Sequence, residues 1–387
     1  LNINFTWPYP YSQKAAVFDI DAGEEEEKSG LSQFPAVSQV NLKKTNKQIF
    51  KDMAEAVNIK RLAQELNISI ATVSKALNDS YEISLKTKNR VWALAKELNY
   101  TPNPAASNLR SHKTKTIAVV IPCVANNFFS LSIKGIEEIA RQYGYHVLIY
   151  QTHENIETEV AFTNSLLNGR VDGILTSVSS SEYNSEYYAN LVKKIPLVFF
   201  DRVYENLDAV KVTTDDYEIA FQATEHLIEC GCTKIAYLYG LENLPAGKAR
   251  FAGYLDALKA HGIAAKEQLG VKYQDDEELN LQNIKALLGK YKPDALFSSI
   301  EEFIIPAYCA CKELNLKIPD DVKILSFSNL STAKLLNPSL TTISQPAFEI
   351  GREAAKCLFK ILNNKQLDDE QNIVLKSVLI KRESTSC

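Results

Sequence analysis

Lys75 is the one long cation in the stretch ISIATVSKALN, residues 68–78. An ammonium there can donate to O6 and N7 of guanine, whereas Ile70 and Ala71 beside it offer apolar contact, for instance to a thymine methyl. Thr72, Ser74 and Asn78, interleaved with them, are short hydrogen-bonding residues of the kind that meet phosphate oxygens. Farther on, NYTPNPAASNLR (99–110) ends a run of small residues in the single leucine Leu109. An apolar side chain so placed is a candidate wedge at a minor-groove base step. The chemistry on offer is non-covalent reading of a DNA duplex. The competing accounts are a helical hairpin packed for structure alone, and a linker with one exposed leucine.

These residues need two helices and a tight turn to hold them. Ile59, Leu62, Ala63 and Leu66 recur at helical spacing and give a first helix one apolar face. Asn67 breaks it and Ile68 plugs the gap. Ser69 is a good N-cap for a second helix, since its hydroxyl can accept an orphan backbone N–H. A third helix is expected over about 84–99, with Val91, Trp92, Leu94, Ala95 and Leu98 on its apolar side. Pro104 suits the first turn of a further short helix through Leu109. A helix of little more than one turn is unstable alone in water and needs something to pack against.

Bulk properties narrow the classes. The chain has 387 residues, enough for two or three domains with buried cores. Its net charge of −4 is unevenly spread: residues 57–115 carry ten Lys/Arg against four Asp/Glu, leaving −10 for the remainder. A basic module on an acidic body suits a nucleic-acid contact confined to one end, and equally a solvated helical surface. The seven cysteines (Cys123, Cys230, Cys232, Cys309, Cys311, Cys357, Cys387) show no C-x-x-C spacing. Free thiols in a reducing cytoplasm are expected, with no metal site and no cofactor. No apolar run approaches a bilayer span and no secretion signal is apparent, so a cytoplasmic protein without a membrane partner is expected.

The first residues stand apart. The chain opens on Leu1, its only methionine is Met53, and between them lie the acidic run Glu24–Glu27 and a mixture without periodicity. Residues 1–52 are expected to be either an upstream extension of the natural start at Met53 or a disordered arm.

From Lys115 the pattern changes to alternating strands and amphipathic helices. Strands are expected at Thr116–Pro122, His146–Gln151, Val171–Val178 and Pro196–Asp201. A second series follows at Val210–Thr213, Lys234–Tyr239, Ala295–Ser299 and Val322–Phe327. Helices are expected between them, among others at Phe129–Tyr143, Tyr217–Cys230, Ala249–His261 and Phe303–Leu314. Repeated βα units argue parallel sheets covered on both faces, and two series argue two similar subdomains. The default pocket is the cleft between them, outside the carboxyl ends of the strands.

Taken together, ATVSKALN, the NYTPNPAASNLR segment and the entry strand KTKTIAVVIP resemble the lactose-repressor (LacI) family of bacterial transcription regulators, over roughly Val57 to the C-terminus. Later marks are Asn126–Phe129, Phe200-Asp201-Arg202, Arg250–Tyr254 and PSLTTISQP at Pro338–Pro346. The resemblance implies an all-α helix-turn-helix head (53–101), a hinge helix and linker (102–114), and a two-subdomain, periplasmic-binding-protein-like doubly wound α/β core (115–387). It implies a homodimer, or a dimer of dimers, on a near-palindromic operator. Ile70, Ala71 and Lys75 would read the half-site, and Ala106 and Leu109 would act in the minor groove. Phosphate contacts would come from Thr72, Ser74, Asn78, Tyr100 and Asn103. Lys75 stands where an arginine is common in the family, which makes its contact less geometrically exacting.

For the cleft, the resemblance implies that Phe128, Asp201 and Arg250 line an effector pocket. Arg250 brings a fork of donors, Asp201 an acceptor pair and Phe128 a flat face for a sugar ring. Two departures bear on the ligand. Ile300-Glu301 stands where sugar-binding relatives often have Asn-Asp, and Ser328-Asn329 where an aspartate pair is common. Ile300 would leave a ring hydroxyl unpaired at about 1–3 kcal/mol. That leaves open a less polar effector, a differently substituted one, or none, although Ser328 can still bond a carbohydrate hydroxyl.

Two other classes are weighed against a ligand-controlled regulator, in this family most often a repressor of sugar-utilisation genes. A solute-binding transport protein would use the same core, but has no use for residues 58–109. An enzyme is disfavoured because G-x-S-x-G, the phosphate loop and H-E-x-x-H are all missing, and the five histidines are dispersed.

Overall fold

The computed structural model describes residues 57–100, 113–179, 185–365 and 371–387. The expectations for residues 1–52, Asn103, Ala106, Leu109 and the hinge helix lie outside them. The chain divides into two compact units, within residues 1–102 and 103–387.

The first unit holds three helices, α1 (Ile59–Leu66), α2 (Ile70–Leu77) and α3 (Leu85–Glu97). Side-chain caps start all three: Asn58, Ser69 and Ser84 accept from the backbone N–H of Arg61, Thr72 and Thr87. Substituting such a cap by Ala costs ~1 kcal/mol. Asn67 ends α1 in the left-handed region (φ 53°), a conformation that Asn tolerates better than most residues. The chain then folds back so that the Ile68 N–H reaches the Ala63 carbonyl (3.0 Å). Leu62, Ala63, Val73, Ala76, Val91 and Ala95 form the buried centre, with Ile68 and Tyr100 packed against it. Each fully buried Leu or Val there contributes roughly 1.5–3 kcal/mol.

The second unit is built on two six-stranded sheets. In chain order its elements begin with β1 (Thr116–Ile121), α4 (Asn127–Gln142), β2 (His146–Gln151), α5 (Ile156–Leu166), β3 (Gly173–Thr176), α6 (Ser185–Leu191), β4 (Leu197–Phe200) and β5 (Val210–Thr214). There follow α7 (Asp216–Glu229), β6 (Ile235–Tyr239), α8 (Pro245–Ala260), β7 (Gly270–Lys272), α9 (Glu277–Tyr291), β8 (Ala295–Ser298), α10 (Ile304–Glu313), β9 (Lys323–Phe327) and β10 (Thr341–Ser344). The chain closes with α11 (Ala347–Leu362), β11 (Asn372–Leu375) and β12 (Val378–Ile380). Strand order is β11-β5-β4-β3-β1-β2 in one sheet and β12-β10-β9-β8-β6-β7 in the other. All pairings are parallel except β10–β12. Central strands such as TIAVVI are buried along nearly their whole length because helices cover both faces.

The topology corrects the expected grouping of strands. Val210–Thr214 does not open the second series; it pairs in parallel with β4 and belongs to the first sheet. The chain crosses to the second sheet only after β5. It returns with α11, which packs in the core of the first sheet, and crosses once more between β11 and β12. Periodicity reports which element forms, and the sheet it joins is decided by packing partners far away in sequence.

Each subdomain has a pair of helices in backbone contact. A Cβ on Gly135 of α4 would lie 2.1 Å from the Phe348 carbonyl oxygen, and one on Gly351 of α11 would lie 2.0 Å from that of Ser132. In the other half, a Cβ on Gly253 of α8 would meet the Tyr217 carbonyl oxygen of α7 at 2.3 Å.

The cysteines also depart from expectation. Cys230 and Cys387, expected as free thiols, are joined in a disulfide with their Cα atoms 4.9 Å apart. The C-terminal turn brings them together, because His226 Nε2 and Thr385 Oγ1 share a hydrogen bond (2.8 Å) that holds the tail against α7. No helix among the described residues is long and apolar enough to cross a membrane.

Candidate functional sites on the head and in the cleft

On the head, α2 presents Ile70 (45% exposed), Ala71 and Lys75 outward, while Val73 and Ala76 anchor its other side. Exposure of an isoleucine at the first position of a capped helix costs the fold apolar burial. Ile70 stands outside the head core, open to an external contact. Lys75 pairs with Glu82, both ends about half exposed, so the ammonium can leave this partner at small cost. Thr72 and Ser74 are half-buried. Thr72 donates its N–H to the Ser69 cap, and the Asn78 side chain turns back to the Ser74 carbonyl (2.9 Å). Tyr100 is half-buried against the head core, and desolvation holds its phenol above the ordinary range.

In the second unit a cavity of about 580 Å³ opens between the two sheets. Of the four sequence-predicted effector residues, Phe128, Asp201, Arg250 and Ser328 all line it. Phe128 enters on the first turn of α4, where Asn126 caps the helix through the Phe128 N–H (2.9 Å). Its ring is mostly buried and stands edge-on to Phe129. Asp201 follows β4 in the left-handed region (φ 60°), its N–H held by the Val212 carbonyl (2.9 Å). Burial pushes its carboxyl up to about 6, against the opposing pull of Arg202 and Arg250.

Arg250 is a buried cation, only 3% exposed. Its Nε donates to Asp216 Oδ1 (2.7 Å), its Nη1 to the Ser299 carbonyl (2.6 Å), and its guanidinium lies 3.9 Å above the Phe327 ring. Burial raises the Asp216 pKa, with Arg250 acting the other way. Much of the fork expected to face a ligand is therefore spent on positioning the guanidinium between α7 and β8. Arg202 is similarly committed: Nη1 bonds both oxygens of Glu154 (2.8 and 2.7 Å), while Nε lies 3.8 Å from Asp201.

The two departures noted in the sequence rebuild one wall. Ile300 fills the space over Gly240. Beside it Glu301 accepts from Ser328 Oγ (2.7 Å) and the Asn329 N–H (3.0 Å), and from the Asn127 side chain (2.7 Å) across the cleft. Glu302 makes a second crossing bond, from Asn126 Nδ2 (2.9 Å). The Ser328 hydroxyl donates to Glu301 and accepts from the Leu330 N–H (3.0 Å). The Asn329 amide likewise donates to the Gln345 carbonyl (2.7 Å). Sequence reasoning missed Asp216, Tyr273 and the Asn126-Asn127 to Glu301-Glu302 pairing. The carboxylates at 301 and 302 were visible, but nothing local says that they face a pair of asparagines 174 residues away.

Comparison with known proteins adds to this geometry. Residues 58–103 match the model for bacterial regulatory proteins of the lacI family, and residues 224–385 match a periplasmic binding protein-like domain. The HTH-type transcriptional regulator RegA of Clostridium saccharobutylicum is 32% identical over 337 residues, 85% of this chain and 99% of that protein. Among solved structures, the lac repressor dimer bound to operator and the anti-inducer ONPF shares the fold. Its TM-score is 0.78 at 22% identity, over 86% of this chain and 99% of that one. A periplasmic binding protein/LacI transcriptional regulator from Alkaliphilus metalliredigens QYMF, complexed with D-xylulofuranose, is 29% identical, over 70% of this chain and 100% of that one, with a TM-score of 0.62.

Proposed function

The chain belongs to the lacI family of bacterial transcription regulators, and from that premise we propose a cytoplasmic, homodimeric repressor that binds a near-palindromic operator under control of a small molecule in the cleft. The observation that carries the reading is the capped α2, which turns Ile70, Ala71 and Lys75 outward within the lacI-type segment. Lys75 would read guanine and Ile70 a thymine methyl, with Thr72, Ser74, Asn78, Tyr100 and Asn103 on phosphates. Ala106 and Leu109 would act in the minor groove of the central step. Residues 53–101 would be the DNA-reading domain, 102–114 the hinge and 115–387 the control domain.

Phe128, Asp201, Arg250 and Ser328 would hold the effector. The sugar bound by the Alkaliphilus protein supports a carbohydrate-like ligand. Coupling needs the effector to bind one arrangement of the subdomains better than the other, by about 1–3 kcal/mol. The reading is tested by mixing the full chain with fragmented genomic DNA at near-physiological salt and sequencing what is retained. Retention of a few fragments sharing one near-palindrome is expected. Uniform recovery of the genome would overturn it.

A further inference from the structure

The cleft carries a charge imbalance that a neutral sugar does not explain. Six carboxylates line it (Glu154, Asp201, Glu242, Asp275, Glu301 and Glu302), against the two guanidinium groups of Arg202 and Arg250. Neither arginine is at liberty. Arg202 is held by Glu154, and Arg250 by Asp216, a further carboxylate directly behind it. Glu242 has an exposed partner in Lys272 (3.1 Å). By contrast, Glu301 and Glu302 accept only from neutral amide, hydroxyl and backbone donors, and among the described residues neither they nor Asp275 is in an ion pair. Hydrogen bonds from neutral groups satisfy lone pairs but do not cancel charge, and like charges crowded around one cavity repel.

Tyr273 lines the cavity, 37% exposed, its ring edge-on to Phe303. Its phenol is pushed up to about 12, first by burial and then by the charges of Glu302, Asp275 and Glu154. Carboxylates from both subdomains line the same cavity as this ring. An aromatic face among carboxylates attracts a cation through both the ring quadrupole and direct charge pairing. The same cavity also holds Asp201, Gln345 and Phe128, acceptors and an apolar face suited to a hydroxylated ring. Among the described residues no group of three His, Cys, Asp or Glu is arranged to hold a metal ion.

We propose that the ligand of this cleft is an amine-bearing sugar, its ammonium seated between Tyr273, Asp275 and Glu302, and that phosphorylated or carboxylated sugars are excluded. This deepens the effector reading above and rests on it.

The test is calorimetric titration of the full chain with matched series that differ only in charge: glucosamine, galactosamine and mannosamine, their parent hexoses, and the corresponding hexose 6-phosphates. At least one amine should bind about tenfold or more tighter than its parent, which is roughly 1.4 kcal/mol, and more weakly as salt rises. The phosphates should not bind. Asp275→Asn and Glu302→Gln should bring the amine within about twofold of the parent hexose measured on the same variant. Equal affinity for amine and parent, tighter binding of a phosphate, no binding by any of the amines, or a preference that survives both substitutions would each overturn the proposal. Retention of genomic DNA by the same preparation separates this failure from failure of the regulator reading. A chain that selects a palindrome but shows no amine preference refutes only the ligand class, whereas one that selects no DNA refutes the regulator.

Discussion

Arg250→Ala is the substitution most directly set by the geometry of the cleft. In the native protein the Arg250 guanidinium bonds Asp216 and the Ser299 carbonyl while stacking on Phe327. Truncation leaves the Asp216 carboxylate, whose side chain is 8% exposed, without its cation. Removing one partner of a buried ion pair costs about 3–5 kcal/mol, and the orphaned Ser299 carbonyl adds about 1–3 kcal/mol if water does not reach it. A core with a total stability of about 5–15 kcal/mol would lose a large share. The loss has a ceiling, because Asp216 can take up a proton, and burial already raises its pKa. Without Arg250 that pKa rises further, so the penalty is largest above neutrality and shrinks as the pH falls. Urea unfolding of the α/β unit at pH 8 and pH 5, for wild type, Arg250→Ala, Asp216→Asn and the double variant, measures it. The double variant should be clearly more stable than the sum of the single losses predicts. A single-variant loss below about 1 kcal/mol, as for an exposed pair, or one independent of pH, would refute the reasoning.

Four further outcomes follow from particular residues. Burial pushes the Asp201 carboxyl up to about 6 from an ordinary 3.8, so the folded state binds more protons between these values. Stability should therefore fall as pH rises through that window and level off above it, by roughly 1–3 kcal/mol in all. Asp201→Asn should flatten that part of the pH profile, and an unchanged profile would remove Asp201 as its source. Gly351→Ala would drive a Cβ to 2.0 Å from the Ser132 carbonyl oxygen. Forcing α4 and α11 apart should cost about 1–3 kcal/mol or more, read as a lowered thermal midpoint. Lys75→Ala should lose about 1–3 kcal/mol of discrimination on a selected duplex while non-specific affinity changes little. Leu109→Ala should weaken selected binding and leave cleft titrations unchanged. Equal losses on all sequences would mark Lys75 as a phosphate contact, and undiminished binding by Leu109→Ala would remove the wedge.

What the sequence made legible depended on how local the determining physics is. Ser69, Asn67 and the apolar residues from Ile59 to Leu98 specify the head through caps, one left-handed residue and i,i+3/i+4 spacing. All of that is written within a few turns of helix. The strand cores from β1 to β6, β8 and β9 were equally legible as apolar runs. The short strands β7, β10, β11 and β12, of three or four residues, were not. They owe their existence to a neighbouring strand rather than to their own composition. The cleft shows the same division. Phe128, Asp201 and Arg250 were found by motif, but their partners were not. Asp216 lies in a different helix from Arg250, and Asn127 meets Glu301 only because the two subdomains face each other. Ile300 and Glu301 looked like losses of hydrogen-bonding groups. In the fold Ile300 packs over Gly240, and Glu301 becomes the hub joining both walls. The Cys230–Cys387 link escaped for a related reason, since tertiary bonding of the C-terminal turn to α7 brings the two together.

The central claim is that the basic head reads sequence. Its most direct test is equilibrium binding of the full chain to a retained near-palindrome and to a scrambled duplex of identical composition, across a range of salt. The palindrome should bind roughly 10³-fold or more tighter than the scrambled duplex, with both affinities falling as salt rises. Equal affinities with the same salt dependence would mean that the head holds only the phosphate backbone and does not read sequence.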